Sequence, residues 1–170
     1  MRYLALGGFA FLAVWLQTCF FGWFSIRGAQ PDLLLTLVIF LALYSEDEDW
    51  PIRFWLVGLV KDLFSSNALG LHALAFALLG VGISKIRKEI FRDDFRTRAL
   101  VVFAACCLAN GSIAMIESFR LGALHFHDLS VRIFLEAAYS GMLAPCFFWI
   151  LMVCRSLFGI RTSPDFSRAL

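Results

Sequence analysis

Six long apolar runs follow one another along the chain, and they constrain the fold more than any other feature of the sequence. They occupy residues 3–26, 30–45, 52–66, 67–84, 99–116 and 137–154. A helix needs roughly 20 apolar residues to cross a bilayer, and most of the runs come near that length. With 61% hydrophobic and only 16% charged residues, a soluble domain of 170 residues has too little interior to bury them. We therefore predict an all-α integral membrane protein, a bundle of six transmembrane helices forming one polytopic domain over residues 1–170.

The chain length limits which functions are compatible with this fold. Six spans use about 120 residues, because each takes roughly 20, and only short loops remain. No separate catalytic, nucleotide-binding or nucleic-acid-binding domain fits into those loops. The net charge of +2 is too weak to favour a nucleic-acid partner. The first run is longer than the apolar core of a signal peptide, so we expect an uncleaved first helix.

The distribution of Lys and Arg predicts the orientation in the membrane. With the N-terminus inside, eleven basic residues fall in cytoplasmic segments and three fall in outer loops, which are Arg27, Arg120 and Arg132. The positive-inside rule then places both termini in the cytoplasm. The acidic loop Glu46 to Asp49 also lies inside, where its role stays open between a solvated loop and a partner-binding segment.

Lys61 and Asp62 interrupt the third run, and ionisable residues within a span are costly enough to need a specific role. Both lie near the outer end of that run, where Lys61 has the length to extend to the lipid headgroups. Asp62 shares a helix face with Gly58, Ser65 and Ser66, a polar and small-residue face that should turn toward other helices. Two roles remain open for Asp62: interhelical packing or capping, and binding of a ligand or partner.

Small residues form a stripe along the fourth run. Gly70, Ala73, Ala77 and Gly80 recur at spacings of three and four, which lets a second helix approach closely. The stripe is therefore a candidate docking face for a partner helix. His72 lies near its outer end, where a hydrogen-bonded interfacial histidine is favoured over a proton-transfer or metal role.

Nothing in the sequence indicates catalysis, a cofactor or a metal. Ser112 lacks the pattern of a nucleophile elbow, and no glycine-rich phosphate loop is present. His125 and His127 are close together but lack further ligands, and the five cysteines lie in apolar runs as packing residues. We predict no catalytic residue, no metal site and no enzymatic activity.

Three sequence motifs together resemble the MreD family of bacterial rod shape-determining membrane proteins. They are Pro-Asp-Leu-Leu-Leu at 31–35, Gly-Leu-Val-Lys-Asp-Leu-Phe-Ser at 58–65 and Leu-Gly-Leu-His-Ala-Leu at 69–74. The resemblance extends to the chain length, the six apolar runs, the basic fourth loop and the Ala144-Pro145 pattern in the last run. Lys61 departs from the family, which usually has an apolar residue before the aspartate.

The resemblance implies a non-enzymatic component of the cell-elongation machinery in the bacterial inner membrane, helping to direct lateral peptidoglycan synthesis. Its expected partners are MreC by direct binding, with MreB, RodZ, RodA and a penicillin-binding protein as complex members, besides membrane lipid. The family is also similar in fold to the substrate-binding subunits of vitamin (ECF-type) transporters, so a small-molecule-binding transporter subunit is the alternative. The matching positions Asp32, Asp62, Ser65, Gly70 and His72 should cluster toward the outer leaflet. The helix that contacts MreC, the oligomeric state, and binding of a lipid or precursor by this cluster stay open.

Overall fold

Six α-helices make up the part of the chain that the computed structural model describes, which comprises residues 2–20, 29–45, 50–65, 69–90, 95–121 and 126–154. Those residues contain no β-strand, so the all-helical prediction is confirmed. A π-helical turn, Leu16–Phe20, extends the first helix. The helices are α1 (Arg2–Trp15), α2 (Leu33–Tyr44), α3 (Trp50–Phe64), α4 (Leu71–Ile90), α5 (Phe95–Leu121) and α6 (Phe126–Val153).

Helix α2 lies at the centre of the bundle and contacts each of the other five helices. All twelve of its residues are buried. A helix that is apolar on every side has no face suited to water, and here the neighbouring helices cover it completely. The hydroxyl of Thr36 donates a hydrogen bond to the carbonyl oxygen of Asp32 at 2.8 Å, so the polar side chain in the first turn of α2 has a partner.

Four of the other helices form two antiparallel hairpins, α3 with α4 and α5 with α6, and α1 packs against α2 and α3. The first hairpin packs so closely that a Cβ on Gly58 would lie 2.7 Å from the carbonyl oxygen of His72. Farther along, a Cβ on Gly80 would overlap the Phe54 ring, whose nearest atoms lie closer than 3.0 Å to it. A side chain at Gly58 would push the two helix backbones apart, and a side chain at Gly80 would displace the Phe54 ring.

The surface and the interior of the bundle have the polarity expected for a protein in lipid. Large apolar side chains such as Leu78, Leu108 and Met142 are more than half exposed on α4, α5 and α6. Charged side chains are buried instead, among them Asp32 and Asp62. Exposed apolar surface of this extent on several helices marks contact with lipid or with other membrane proteins.

Helix lengths divide the bundle into a long pair and a short group. Among the described residues, α5 and α6 are the two helices long and apolar enough to cross a membrane, through the segments Thr97–Ile116 and Ser130–Val153. Helix α2 has 12 residues and is about 18 Å long, and α3 has 15. The six-span arrangement and the similarity to vitamin transporter subunits therefore stay predictions.

Several predicted helix boundaries were wrong. Helix α6 begins at Phe126 instead of residue 137, and α4 continues to Ile90 instead of ending at residue 84. Apolar runs mark only the part of a helix that is in contact with lipid or with other helices, whereas the backbone hydrogen bonds continue through polar residues. The acidic loop 46–49, Ser66, His125 and the chain beyond residue 154 lie outside the described residues.

Candidate functional site: a polar cluster between the helix ends

The Asp62 carboxylate, in the last turn of α3, caps the first turn of α4. Its Oδ2 accepts hydrogen bonds from the backbone N–H groups of Gly70 at 2.9 Å and Ala73 at 3.0 Å. Its Oδ1 accepts from the backbone N–H of His72 at 3.1 Å and lies 2.9 Å from the ring Nδ1 of the same residue. A carboxylate at this position satisfies N–H groups that have no partner within the helix and lies at the positive end of its dipole. This geometry is that of an interhelical cap, one of the two roles left open for Asp62, and binding of a ligand or partner by Asp62 stays a prediction.

The backbone conformation at the ends of α3 and α4 orients these N–H groups toward Asp62. The backbone N–H of Ser65 donates to the carbonyl oxygen of Asp62 at 3.3 Å, which closes the end of α3. Gly70 has a φ of +96°, a backbone conformation that residues other than glycine rarely adopt. Its carbonyl oxygen then accepts the first bond of α4 from Leu74 at 2.9 Å. Gly70 therefore serves the turn and not a helix–helix contact.

The Asp32 carboxylate joins the start of α2 to the end of α3. Its Oδ1 caps α2 by accepting from the N–H of Leu35 at 3.1 Å, while its Oδ2 forms an ion pair with the Lys61 ammonium group. The Lys61 ammonium also lies 5.2 Å from the centroid of the Phe76 ring, within cation–π range. The sequence indicated that Lys61 has the length to reach the headgroups, and in the structure its ammonium group is instead paired with a buried carboxylate.

Helix α6 contributes polar groups that sequence analysis missed. The backbone N–H of Asp32 donates to the Ser140 hydroxyl at 2.8 Å, and that hydroxyl donates to the carbonyl oxygen of Glu136 at 2.7 Å. The Glu136 side chain accepts from Arg132 at 3.0 Å and from Asn110 on α5 at 3.2 Å. Glu136 lies one position before the sixth apolar run, which begins at residue 137, so hydropathy gives no signal for it.

We call these residues the polar cluster: Asp32, Lys61, Asp62, His72, Glu136 and Ser140. Each of its three carboxylates has a positive counterpart within the protein, and for Asp62 this is the partial positive charge of a helix start. Asp32 pairs with Lys61, Asp62 with the start of α4, and Glu136 with Arg132. Within the described residues, no three side chains of the metal-binding types come together. The arrangement holds helix ends in register and shows no geometry for bond making or breaking.

The small-residue stripe of α4 faces the protein's own α3. Ala73 is fully buried and Gly80 is in contact with Phe54, whereas Ala77 is half-buried. The sequence thus identified a close helix–helix contact, but this contact lies within the α3–α4 hairpin. A partner helix cannot occupy the Ala73 and Gly80 positions unless that hairpin opens.

The chain was compared with models of known protein families, with curated proteins and with solved structures. The family model described as rod shape-determining protein MreD matches residues 2–154. The chain belongs to the MreD family. Neither the curated proteins nor the solved structures include a match.

Membership confirms the resemblance seen in the motifs and supports a role in rod shape determination. The family is a structural, shape-determining one, not a known class of enzyme. Together with the two long apolar helices, it indicates a membrane protein.

Proposed function

We propose that this MreD-family protein is a non-catalytic, multi-pass component of the bacterial inner membrane that binds MreC and helps direct lateral peptidoglycan synthesis. MreB, RodZ, RodA and a penicillin-binding protein are the further members of the proposed complex. The family match over residues 2–154 carries the shape-determining part of the proposal. The polar cluster supports the non-catalytic part, because its acidic groups are used to hold helix ends together.

The proposed arrangement has six membrane crossings with both termini in the cytoplasm. The excess of basic residues in the segments assigned to the cytoplasm supports it. In a variant without native cysteines, Arg87→Cys should react with a membrane-impermeant maleimide only after the cells are opened. His125→Cys should react in intact spheroplasts. Equal labelling of the two positions in intact spheroplasts would contradict this topology.

A partner's membrane segment should dock on the outward-facing apolar surface, since the α4 stripe is occupied by α3. Four positions sample that surface on different helices: Phe11, Leu78, Leu108 and Met142, all more than half exposed. Cysteines placed there singly, with a cysteine scan through the membrane segment of MreC, should form disulfides from one helix face only. Ala105 on α5 is buried and provides the matched negative control.

Co-purification with MreC from detergent tests the same proposal without engineered cysteines. The complex should survive in full-length protein and be lost when a bulky residue replaces an outward position that forms cross-links. Absence of both co-purification and cross-links would reject MreC as the direct partner.

The alternative, a small-molecule-binding transporter subunit, predicts tight binding of a vitamin-sized compound by the purified protein. The use of both Asp62 oxygens by the α4 turn favours the scaffold role, since a ligand would have to displace four hydrogen bonds. Tight binding by the isolated protein would support the alternative.

A further inference from the structure

The two hairpins of the bundle present apolar surfaces of very different height. On α3 the large exposed apolar side chains extend from Ile52 to Phe64, a rise of about 18 Å along the helix. On α5 they extend from Leu100 to Phe119, a rise of about 28 Å. Since a typical hydrocarbon core is about 30 Å thick, α5 matches it and α3 does not.

The short side ends near Lys85 in one direction and at the α3–α4 turn in the other. The apolar segment of α4, Leu71–Ile86, has 16 residues and rises about 24 Å. Lys85 is exposed near the C-terminal end of this segment. The other end of the same hairpin is the turn that contains Ser65 and Gly70. By contrast, the apolar segment of α6 has 24 residues and rises about 36 Å.

The polar cluster prevents the short side from adjusting independently. A short helix in a thick bilayer is accommodated by thinning of the lipid, by extension of flanking side chains toward the interface or by association with other helices. Here the Asp62 cap fixes α3 to α4, and the Lys61–Asp32 ion pair fixes the end of α3 to α2. The Lys61 side chain, which would otherwise extend to the headgroups, is held in that ion pair.

We propose that the α3–α4 side of the protein contacts a locally thin bilayer, and that lipids with short acyl chains are its preferred neighbours. The α5–α6 side contacts a bilayer of ordinary thickness. The thickness of the hydrocarbon core therefore changes from one side of the protein to the other, and we call this change the step. This inference rests on the proposed six-crossing arrangement but not on MreC, so it is tested in the isolated protein.

The two tryptophans Trp55 and Trp149 make a matched pair for the test. Trp55 on α3 is 46% exposed and Trp149 on α6 is 70% exposed, so each contacts lipid on one side of the step. Two single-tryptophan variants would carry Phe at the other four tryptophan positions and be reconstituted in phosphatidylcholine vesicles. Brominated phosphatidylcholines of graded chain length, mixed with an unbrominated reference, then report relative lipid affinity through fluorescence quenching.

We expect the affinity reported by Trp55 to peak at a shorter acyl chain than the affinity reported by Trp149. The same optimum for both tryptophans, or a longer one for Trp55, would overturn the proposal. Because no partner is present, a failed MreC interaction leaves this result unaffected, and maleimide labelling tests the crossings separately.

A second measurement covers the case in which the tryptophan variants do not fold. An environment-sensitive fluorophore would be attached to Leu69→Cys at the α3–α4 turn or to Phe119→Cys near the end of α5, two positions that are 74% and 79% exposed. Parallax quenching should place both labels at the headgroup level if the bilayer is thin beside α3–α4. A label at residue 69 that lies clearly deeper than the label at 119 would contradict the thinning.

Discussion

Replacing Asp62 tests whether its carboxylate acts as a cap or as a site for another molecule. Asp62→Asn keeps the size of the side chain but substitutes an NH2 group for one acceptor oxygen. The best orientation keeps the amide oxygen on the N–H groups of Gly70 and Ala73. The NH2 group then faces His72, whose ring Nδ1 can accept from it as the other tautomer, while the His72 backbone N–H loses its acceptor.

The size of the effect follows from the count of lost hydrogen bonds. One buried donor without an acceptor costs about 1–3 kcal/mol, which is the expected loss for Asp62→Asn. Asp62→Leu removes the acceptor of all four donors, so the same value per donor gives roughly 4–12 kcal/mol. That range overlaps the entire stability of a typical protein, about 5–15 kcal/mol. We therefore expect a graded series in which Asn is tolerated in part and Leu is not.

Thermal unfolding of the detergent-purified protein and rescue of cell shape provide the two measurements. The wild-type gene and each variant would replace the native gene at normal expression level. Ser112→Ala serves as the control, since Ser112 is exposed on α5 and its hydroxyl donates only to Ala109 of its own helix, at 2.8 Å. This control should stay within about 0.5 kcal/mol of wild type.

Equal harm from Asn and Leu at equal protein level would refute the capping argument and show that the negative charge itself is needed. Wild-type melting temperature in both variants would refute it as well. Loss of cell shape with unchanged stability would show that Asp62 contacts another molecule.

Two further predictions concern the contacts around Asp62. Lys61→Met leaves the Asp32 carboxylate buried without its counter-charge and should cost about 3 kcal/mol of stability. The double variant Asp32→Asn with Lys61→Met should recover most of that loss, measured as melting temperature. Additive losses in the double variant would contradict the ion pair. Gly58→Val should prevent the α3–α4 contact and greatly reduce the yield of folded protein in size-exclusion chromatography, while Gly82→Ala, with nothing within 4 Å of the added Cβ, should elute as wild type.

The apolar runs were sufficient to predict an all-helical chain, although not the helix boundaries, and residues close in sequence were easier to place together than distant ones. Asp62 and His72 are only ten residues apart, on either side of a turn marked by Ser65 and Gly70, so local pattern placed them together. The sequence left capping and ligand binding both open for Asp62, because the small and polar residues on its helix face suit either role. The connection to Ser140 did not follow, because Ser140 lies 108 residues from Asp32 in the chain.

The central position of α2 could not be predicted from hydropathy. In a soluble protein an apolar helix face indicates the core, but in a membrane an apolar face suits lipid and protein equally. The run 30–45 thus has the same composition as a lipid-facing helix would have. Only its contacts with all five other helices show that it is enclosed.

Polar contacts and close packing act at different ends of α2, and the difference has consequences for how the bundle is specified. At the far end, Phe148 of α6 packs edge-on against Phe40 and Tyr44, with ring centroids 5.6 and 6.4 Å apart. Aromatic pairs are favourable over a range of ring-centroid separations, about 4.5–7 Å, and apolar burial supplies little drive for association in lipid. Directional hydrogen bonds and the ion pair at the Asp32 end do not tolerate such a range. We therefore expect the polar cluster to fix the register of α2 against α3 and α6, and the aromatic end to follow that register.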